Sequence, residues 1–160
     1  MMSVVEETAE SSPWADPLVD LYRERYGPMV RLAYLMTGDR AAAEELVQDA
    51  FVKVHRNWER ATNPPAYLRT AVVNACRSWG RRKVLELHRR PAPPDPSQLV
   101  ADEMWDALQV LPERQRTAIV LRFYEDLPDA QIAEILGCRE ATVRTSIHRA
   151  LERLRKEMDQ

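Results

Sequence analysis

Four prolines within six positions, Pro91, Pro93, Pro94 and Pro96, stand just past the middle of this chain. Proline fixes φ and offers no backbone N–H, so a run this dense is extended and cannot pack as a helix. The stretch from His88 to Val100 is therefore read as a linker. It divides 160 residues into two parts, each with a thin core of its own. Glycine is scarce, 4 residues in all, while Leu, Ala, Arg and Glu abound, which favours helices over sheet. The expected fold class is all-α. Two small helical domains, at 17–87 and 101–160, are joined by the Pro-rich linker at 88–100 and preceded by an acidic tail at 1–16.

Helical periodicity runs through both parts. Pro17 to Thr37 carries Leu18, Leu21, Met29, Leu32 and Met36 on one side, and Gly27-Pro28 predicts a kink or two shorter helices there. Gly38 is a C-cap and Asp39 an N-cap for the next helix. In that helix Ala43, Leu46, Val47, Ala50, Phe51 and Val54 form one stripe, flanked by Glu44, Glu45, Gln48 and Asp49. The pattern stops near Trp58, and Glu59 to Asn63 reads as a loop. Pro64-Pro65 starts a third helix, with Tyr67, Leu68, Ala71, Val72, Ala75 and Trp79 as its buried side. Past the linker, four helical stretches are expected at Ala101–Val110, Pro112–Tyr124, Pro128–Leu136 and Glu140–Met158.

The formal net charge of −2 hides an asymmetry. The first 20 residues carry acidic side chains and no Lys or Arg, whereas residues 69–90 sum to +6 and residues 139–156 to +4. Two separate basic segments in a near-neutral chain suggest two polyanion contacts. Other chemistries lack support. No apolar run approaches the roughly 18–20 residues of a membrane helix, so no membrane insertion is expected. The acidic start lacks the basic and apolar regions of a secretory signal. Cys76 and Cys138 lie far apart and read as small buried residues in a reducing cytoplasm. Together with His55, His88 and His148 they make no ligand spacing, so neither metal nor cofactor is expected. No dinucleotide, phosphate-loop or hydrolase motif is present, and no catalytic residue is assigned.

The segment from Leu127 to Leu154 is the most informative. A short helix with Ile132, Ala133 and Leu136 on its inner face ends at Gly137. A longer helix begins near Glu140, with Val143, Ile147, Ala150, Leu151 and Leu154 inward. Small Ala133 permits close approach and Gly137 turns the chain, the signature of a helix-turn-helix whose second helix enters the major groove. Arg144, Thr145, His148 and Arg149 point sideways or outward. Arg139 and Thr142 stand at the helix start, where Arg can read guanine and Thr can bond a base or phosphate.

These residues resemble a known family. Leu111-Pro-Glu-Arg-Gln-Arg116, Leu121-Arg-Phe-Tyr-Glu-Asp-Leu127, Ile132-Ala-Glu-Ile-Leu-Gly137, Thr142-Val-Arg144 and Arg149-Ala-Leu151 are similar to region 4 of bacterial sigma factors. Independently, Ala43-Glu-Glu-Leu-Val-Gln-Asp-Ala-Phe51 resembles region 2.2, and Ala66-Tyr-Leu-Arg69, Val73-Asn-Ala75 and Arg81-Arg82 resemble the end of region 2. Regions 2 and 4 with a short linker are the layout of the extracytoplasmic-function group, its sigma-E-like branch included. The resemblance covers about residues 17–157.

The resemblance implies a transcription initiation factor in the cytoplasm, with the nucleoid once in holoenzyme. It implies core RNA polymerase (β′ coiled coil and β flap) and promoter DNA as partners, and an anti-sigma factor covering apolar surface of the free form. Glu44, Glu45, Leu46, Val47, Gln48, Asp49 and Phe51 would dock on polymerase. The −10 element would fall to Asn57, Trp58, Arg60, Thr62 and Asn63, which hold a flipped base, and to Asn74, Arg77, Ser78, Arg81 and Arg82, which hold phosphates. The −35 element would be read by Arg139, Thr142, Arg144, Thr145, Ser146, His148 and Arg149. Members often have a basic residue in place of Ser146, and a Ser or Thr in place of Arg139 and Pro128. The short linker implies that the domains move until polymerase and DNA fix them. The alternative is a polymerase-independent helix-turn-helix regulator, which accounts for residues 111–157 but not for the acidic helix at 41–58 or the basic one at 66–82.

Overall fold

A computed structural model describes residues 15–89 and 103–159. Every element among them is helical: α1 (Ala15–Thr37), α2 (Arg40–Arg56), α3 (Pro64–Arg89), α4 (Glu103–Gln109), α5 (Glu113–Ile119) continued by a π-helical turn (Val120–Tyr124), α6 (Asp129–Leu136) and α7 (Glu140–Met158). Trp14 and the prolines at 91–96 lie outside the described residues. The expected boundaries shift slightly. Helix α1 takes in Ala15 and Asp16 from the tail, and α3 takes in His88 and Arg89 from the linker.

Helices α1, α2 and α3 pack into one bundle. The segment does not split into two shorter helices at Gly27-Pro28, and α1 runs through Pro28 as one helix. Pro28 forfeits one bond to the Glu24 carbonyl, but Glu24 and Pro28 both lie on the exposed side. Burial of Leu21 before the proline and of Met29, Leu32, Ala33 and Met36 after it holds the two halves together. Gly38 then ends α1 at φ +72°, with its N–H donating to the Tyr34 carbonyl at 2.7 Å. The Asp39 side chain accepts from the Ala42 N–H at 3.0 Å and starts α2, as expected. The α2 stripe is buried as predicted: Ala43, Leu46, Val47, Ala50, Phe51 and Val54. On α3 the buried side is Leu68, Val72, Val73 and Cys76, one notch round from the expected one. Tyr67 is exposed, and Ala71, Ala75 and Trp79 are only half-buried.

The C-terminal elements form a second cluster around α5 and α7. Leu108, Leu111, Ala118, Ile119, Val120, Leu121, Leu127, Ile132, Leu136, Val143 and Ala150 fill it. The stretch expected as one α-helix at Pro112–Tyr124 changes pitch. The Glu125 N–H donates to Val120 and the Leu127 N–H to Leu121, and Asp126 takes a left-handed φ of 54°. Phe123 is thereby 63% exposed and contributes little to the core.

The two clusters meet in a closed arrangement. Trp105 of α4 packs against Gly38, where an added Cβ would collide with the indole ring. The Tyr124 hydroxyl donates to the Pro28 carbonyl at 3.1 Å. Arg116 donates to the carbonyls of Leu108 at 3.1 Å, Leu111 at 3.1 Å and Met36 at 3.2 Å, and its guanidinium lies 5.1 Å over the Trp105 ring. Burial lowers the Arg116 pKa from its ordinary value, and neighbouring Glu113 opposes the shift.

Candidate nucleic-acid interface

The α6–turn–α7 unit is built as its sequence predicts. Gly137 adopts φ +67°, and the Cys138 N–H reaches back to the Ala133 carbonyl at 3.0 Å, closing the last turn of α6. Ile132, Ala133 and Leu136 of α6 and Val143 and Ala150 of α7 are buried where the two helices pack. Helix α7 starts at Glu140 with Arg139 in the cap position, where no side-chain cap bond forms. Its outer face presents Arg139, Arg144, Thr145, His148 and Arg149, all exposed, with Thr142 half-buried beside them. The Thr145 hydroxyl donates to the Ala141 carbonyl at 3.0 Å, which leaves its lone pairs for an outside donor. His148 Nε2 lies 3.3 Å from Glu152, one turn on. Ser146 departs from expectation: it is buried, because its position falls on the inward side of α7 between Val143 and Ala150.

Ser146 instead helps to line an open cleft of about 380 Å³ between the start of α5 and α7. Arg114 and Gln115 on one side face Thr142, Thr145 and Arg149 on the other. The Gln115 Oε1 is buried there without a hydrogen-bond partner. Sequence reading missed Arg114 and Gln115. Only the packing of α5 on α7 brings them beside the outer residues of α7.

A second basic surface lies on α3. Asn74, Ser78, Arg81 and Arg82 are exposed on it. Arg77 is not open in the same way, because its Nε holds Glu113 at 2.6 Å. The Lys83 ammonium lies 5.9 Å over the Trp79 ring. In the preceding loop Arg60, Thr62 and Asn63 are exposed. The Asn63 side chain accepts from the Ala66 N–H at 3.2 Å and caps α3. Asn57 donates to the Lys53 carbonyl at 2.9 Å, and Trp58 packs partly against the core. These two residues anchor the loop, and the three after them form its open part.

On α2 the expected docking set separates in two. Glu44, Glu45, Gln48 and Asp49 are exposed along one edge. Leu46, Val47 and Phe51 are buried and cannot present a surface, because the stripe they belong to is the contact of α2 with α1 and α3. Their apolar place on the surface is taken by Val52, 47% exposed, and Tyr22, which stacks on Tyr26 and lies 5.0 Å from the Phe51 ring.

Cys76 is buried, and burial pushes its thiol up to about 12, which keeps it protonated and unreactive. No cluster of metal-ligating side chains occurs among the described residues, and none of their helices is long and apolar enough to cross a membrane.

The chain matches two family models in order along its length: Sigma-70 region 2 over residues 21–85 and Sigma-70 region 4 over residues 101–154. It is 32% identical to the RNA polymerase sigma-E factor of Streptomyces coelicolor over 146 residues, which is 85% of this chain and 82% of that protein. It is 27% identical to the ECF RNA polymerase sigma factor SigW of Bacillus subtilis over 165 residues, 88% of this chain and 87% of that one. Among solved structures, the sigma factor RpoE of Bartonella quintana, in complex with its anti-sigma factor NepR, shares the fold. The TM-score is 0.71 at 24% identity, covering 88% of this chain and 97% of RpoE.

Proposed function

Because the chain belongs to the sigma-70 family, in the extracytoplasmic-function group of RNA polymerase sigma factors, we propose how its surfaces divide the work of transcription initiation. It binds core polymerase and directs it to promoters, where the duplex opens near the start site. It has no covalent step of its own; the polymerase supplies that chemistry.

Helix α7 reads the −35 element. Arg144, Thr145, His148 and Arg149 meet base edges and phosphates, with Arg139 and Thr142 at the helix start. Arg114 and Arg149 flank the cleft and hold backbone phosphate, while Ser146 supports the helix from inside. The −10 element falls to the open part of the loop, Arg60, Thr62 and Asn63, braced by Asn57 and Trp58. Extruding a base costs a few kcal/mol, which edge bonds and stacking in such a loop offset. Asn74, Ser78, Arg81, Arg82 and, once released from Glu113, Arg77 track the phosphates. The docking surface for polymerase is the acidic edge of α2 (Glu44, Glu45, Gln48, Asp49) with Val52 and Tyr22 beside it. An acidic edge with an apolar centre suits a basic partner helix such as the β′ coiled coil, and the C-terminal unit meets the β flap. An anti-sigma factor is a further partner, and the cytoplasm is the site of action.

The observation that carries this reading is the ordered pair of units, each with its own exposed basic surface, on one chain. The test is run-off transcription with purified core polymerase on pooled promoter fragments, with and without the protein. New discrete transcripts are expected, and aligning their start sites gives both promoter elements. DNA binding by the protein alone without transcripts would instead identify a plain helix-turn-helix regulator.

A further inference from the structure

Three arginines of the N-terminal unit face two carboxylates of the C-terminal unit. Arg25 of α1 and Arg69 of α3 converge on one oxygen of Glu125, at 3.3 and 3.8 Å. Arg77, eight positions further along α3 and so about 12 Å away along its axis, holds Glu113 at 2.6 Å. The Glu125 side chain is only 7% exposed, so the contact is largely shielded from water.

The donor count does not match the acceptor. Two guanidiniums share one carboxylate, and the Nε of Arg25 and of Arg69 is buried with no hydrogen-bond partner in the structure. A buried donor left unused is costly, and it marks capacity for a richer acceptor. A phosphate diester offers more lone pairs than the single Glu125 oxygen in use, and arginine forks suit it. Two of the three arginines, Arg69 and Arg77, also lie on the same α3 that carries exposed Asn74, Ser78, Arg81 and Arg82, and Arg25 reaches Glu125 from α1.

We propose that Arg25, Arg69 and Arg77 form a binding surface for nucleic-acid phosphates, and that Glu113 and Glu125 occupy it as internal phosphate mimics. In the closed chain the carboxylates sit where the DNA backbone binds. Opening the two units exposes the three arginines at once and lengthens the −10 contact toward α1. A free chain that is mostly closed binds DNA weakly in proportion to its open fraction. This rests on the reading of α3 as the −10 surface, and it adds Arg25 and Arg69 to that surface.

The test uses the full chain without polymerase and a fluorescein-labelled, mixed-sequence 20-nucleotide single strand, read by anisotropy at low and moderate salt. The variant E113Q/E125Q should bind about tenfold tighter than the parent. Its salt dependence should steepen by roughly two phosphate contacts, each worth a slope of about 0.7 for a single strand. A charge-matched control, E103Q/E157Q, alters two exposed carboxylates on α4 and α7 and should give little gain. Adding R25Q, R69Q and R77Q to E113Q/E125Q should erase the gain. Small-angle scattering reads the opening in parallel.

A gain equal to that of the control overturns the proposal, whether or not scattering shows opening. So does a gain that survives loss of the three arginines. If circular dichroism shows that E125Q disturbs folding, E113Q alone serves, because Glu113 is half exposed. It should bind about threefold tighter, and adding R77Q should reverse this; no change overturns the proposal. Run-off transcription with the parent chain and core polymerase separates the two levels. Transcripts with no arginine effect leave the initiation role standing and remove only the mimicry.

Discussion

The two halves of this molecule solve the same problem, a small helical core, in opposite ways. The N-terminal unit uses three long helices of 23, 17 and 26 residues, each with a buried stripe, which on α3 stops at Cys76. The C-terminal unit has one long helix, α7 with 19 residues, against α4, α5 and α6 with 7, 7 and 8. Short helices leave most of their terminal carbonyls and N–H groups without intrahelical partners. The C-terminal unit meets that demand with specific polar groups, Arg116 on the carbonyls of Leu108 and Leu111 and the Cys138 N–H on Ala133 at the Gly137 turn, and adds the side-chain tie of Arg122 to Asp129 at 2.8 Å. Burial along stripes is robust to local change, whereas single polar ties concentrate stability in few residues. The half to which we assign the −35 element is thus the half with fewer redundant supports.

The largest expected effect tests whether that half carries recognition separately from folding. Replacing Arg144 and Arg149 with Ala should remove −35-dependent initiation. Each arginine contributes about 1–3 kcal/mol to DNA binding, and both are exposed on α7, so thermal stability should hold. Binding to core polymerase should persist. Loss of polymerase binding instead would place the docking surface on α7 and break the division between the halves.

The next tests the polar tie itself. Arg116→Ala strands the carbonyls of Leu108, Leu111 and Met36 and removes the stack on Trp105. Charged hydrogen bonds contribute roughly 1.5–3 kcal/mol each, less when water replaces them, so a net loss of about 3 kcal/mol is expected in urea unfolding. Arg116→Lys keeps the charge but cannot span three acceptors, and should recover less than half. A loss under about 0.5 kcal/mol, the scale of an ordinary surface substitution, would show that the C-terminal unit is as redundant as the other.

How much of this was legible beforehand follows the same divide. The α2 stripe, the Asp39 cap and the Gly38 and Gly137 turns stand where the sequence puts them, since each rests on local spacing or on one residue's φ. Leu46, Val47, Phe51 and Ser146 were assigned to surfaces because they lie within motifs. Whether a motif position faces in or out is decided by the neighbouring helix, which local spacing does not specify. Gly27-Pro28 predicts a kink or two shorter helices because propensity is local, while the burial of Met29 and Leu32 that carries one helix through it is tertiary. The outward turn of Phe123 depends on one residue of extra pitch, invisible to a periodicity count. The contacts of Arg116, Glu113 and Glu125 with the other unit join residues 80, 36 and as many as 100 positions apart, beyond any spacing rule.

On the N-terminal side, charge reversal at Glu45 and Asp49 probes a surface backed by a buried stripe. Both side chains are exposed, so the fold should tolerate the change. Facing a basic partner, two like-charge contacts should weaken polymerase binding about thirtyfold, near 2 kcal/mol. A binding titration with core polymerase reads this directly, and unchanged affinity would move docking to another face.

The smallest effects come from two glycines that share a backbone conformation and differ in surroundings. Gly38 at φ +72° and Gly137 at φ +67° both sit where an L side chain costs roughly 1–2 kcal/mol. At Gly137 a Cβ meets open space, so Gly137→Ala should lose only that backbone term, about 1 kcal/mol. At Gly38 the same methyl also runs into the Trp105 ring, so Gly38→Ala should lose about 1 kcal/mol more. The extra loss belongs to the contact between the two halves, since Trp105 is in α4 and Gly38 ends α1. Trp105→Ala in the Gly38→Ala background tests this by a double-mutant cycle. A coupling near 1 kcal/mol would locate the excess at the interface. Equal losses at both glycines, with no coupling, would mean that α4 yields freely and that Trp105 adds nothing to the hold between the halves.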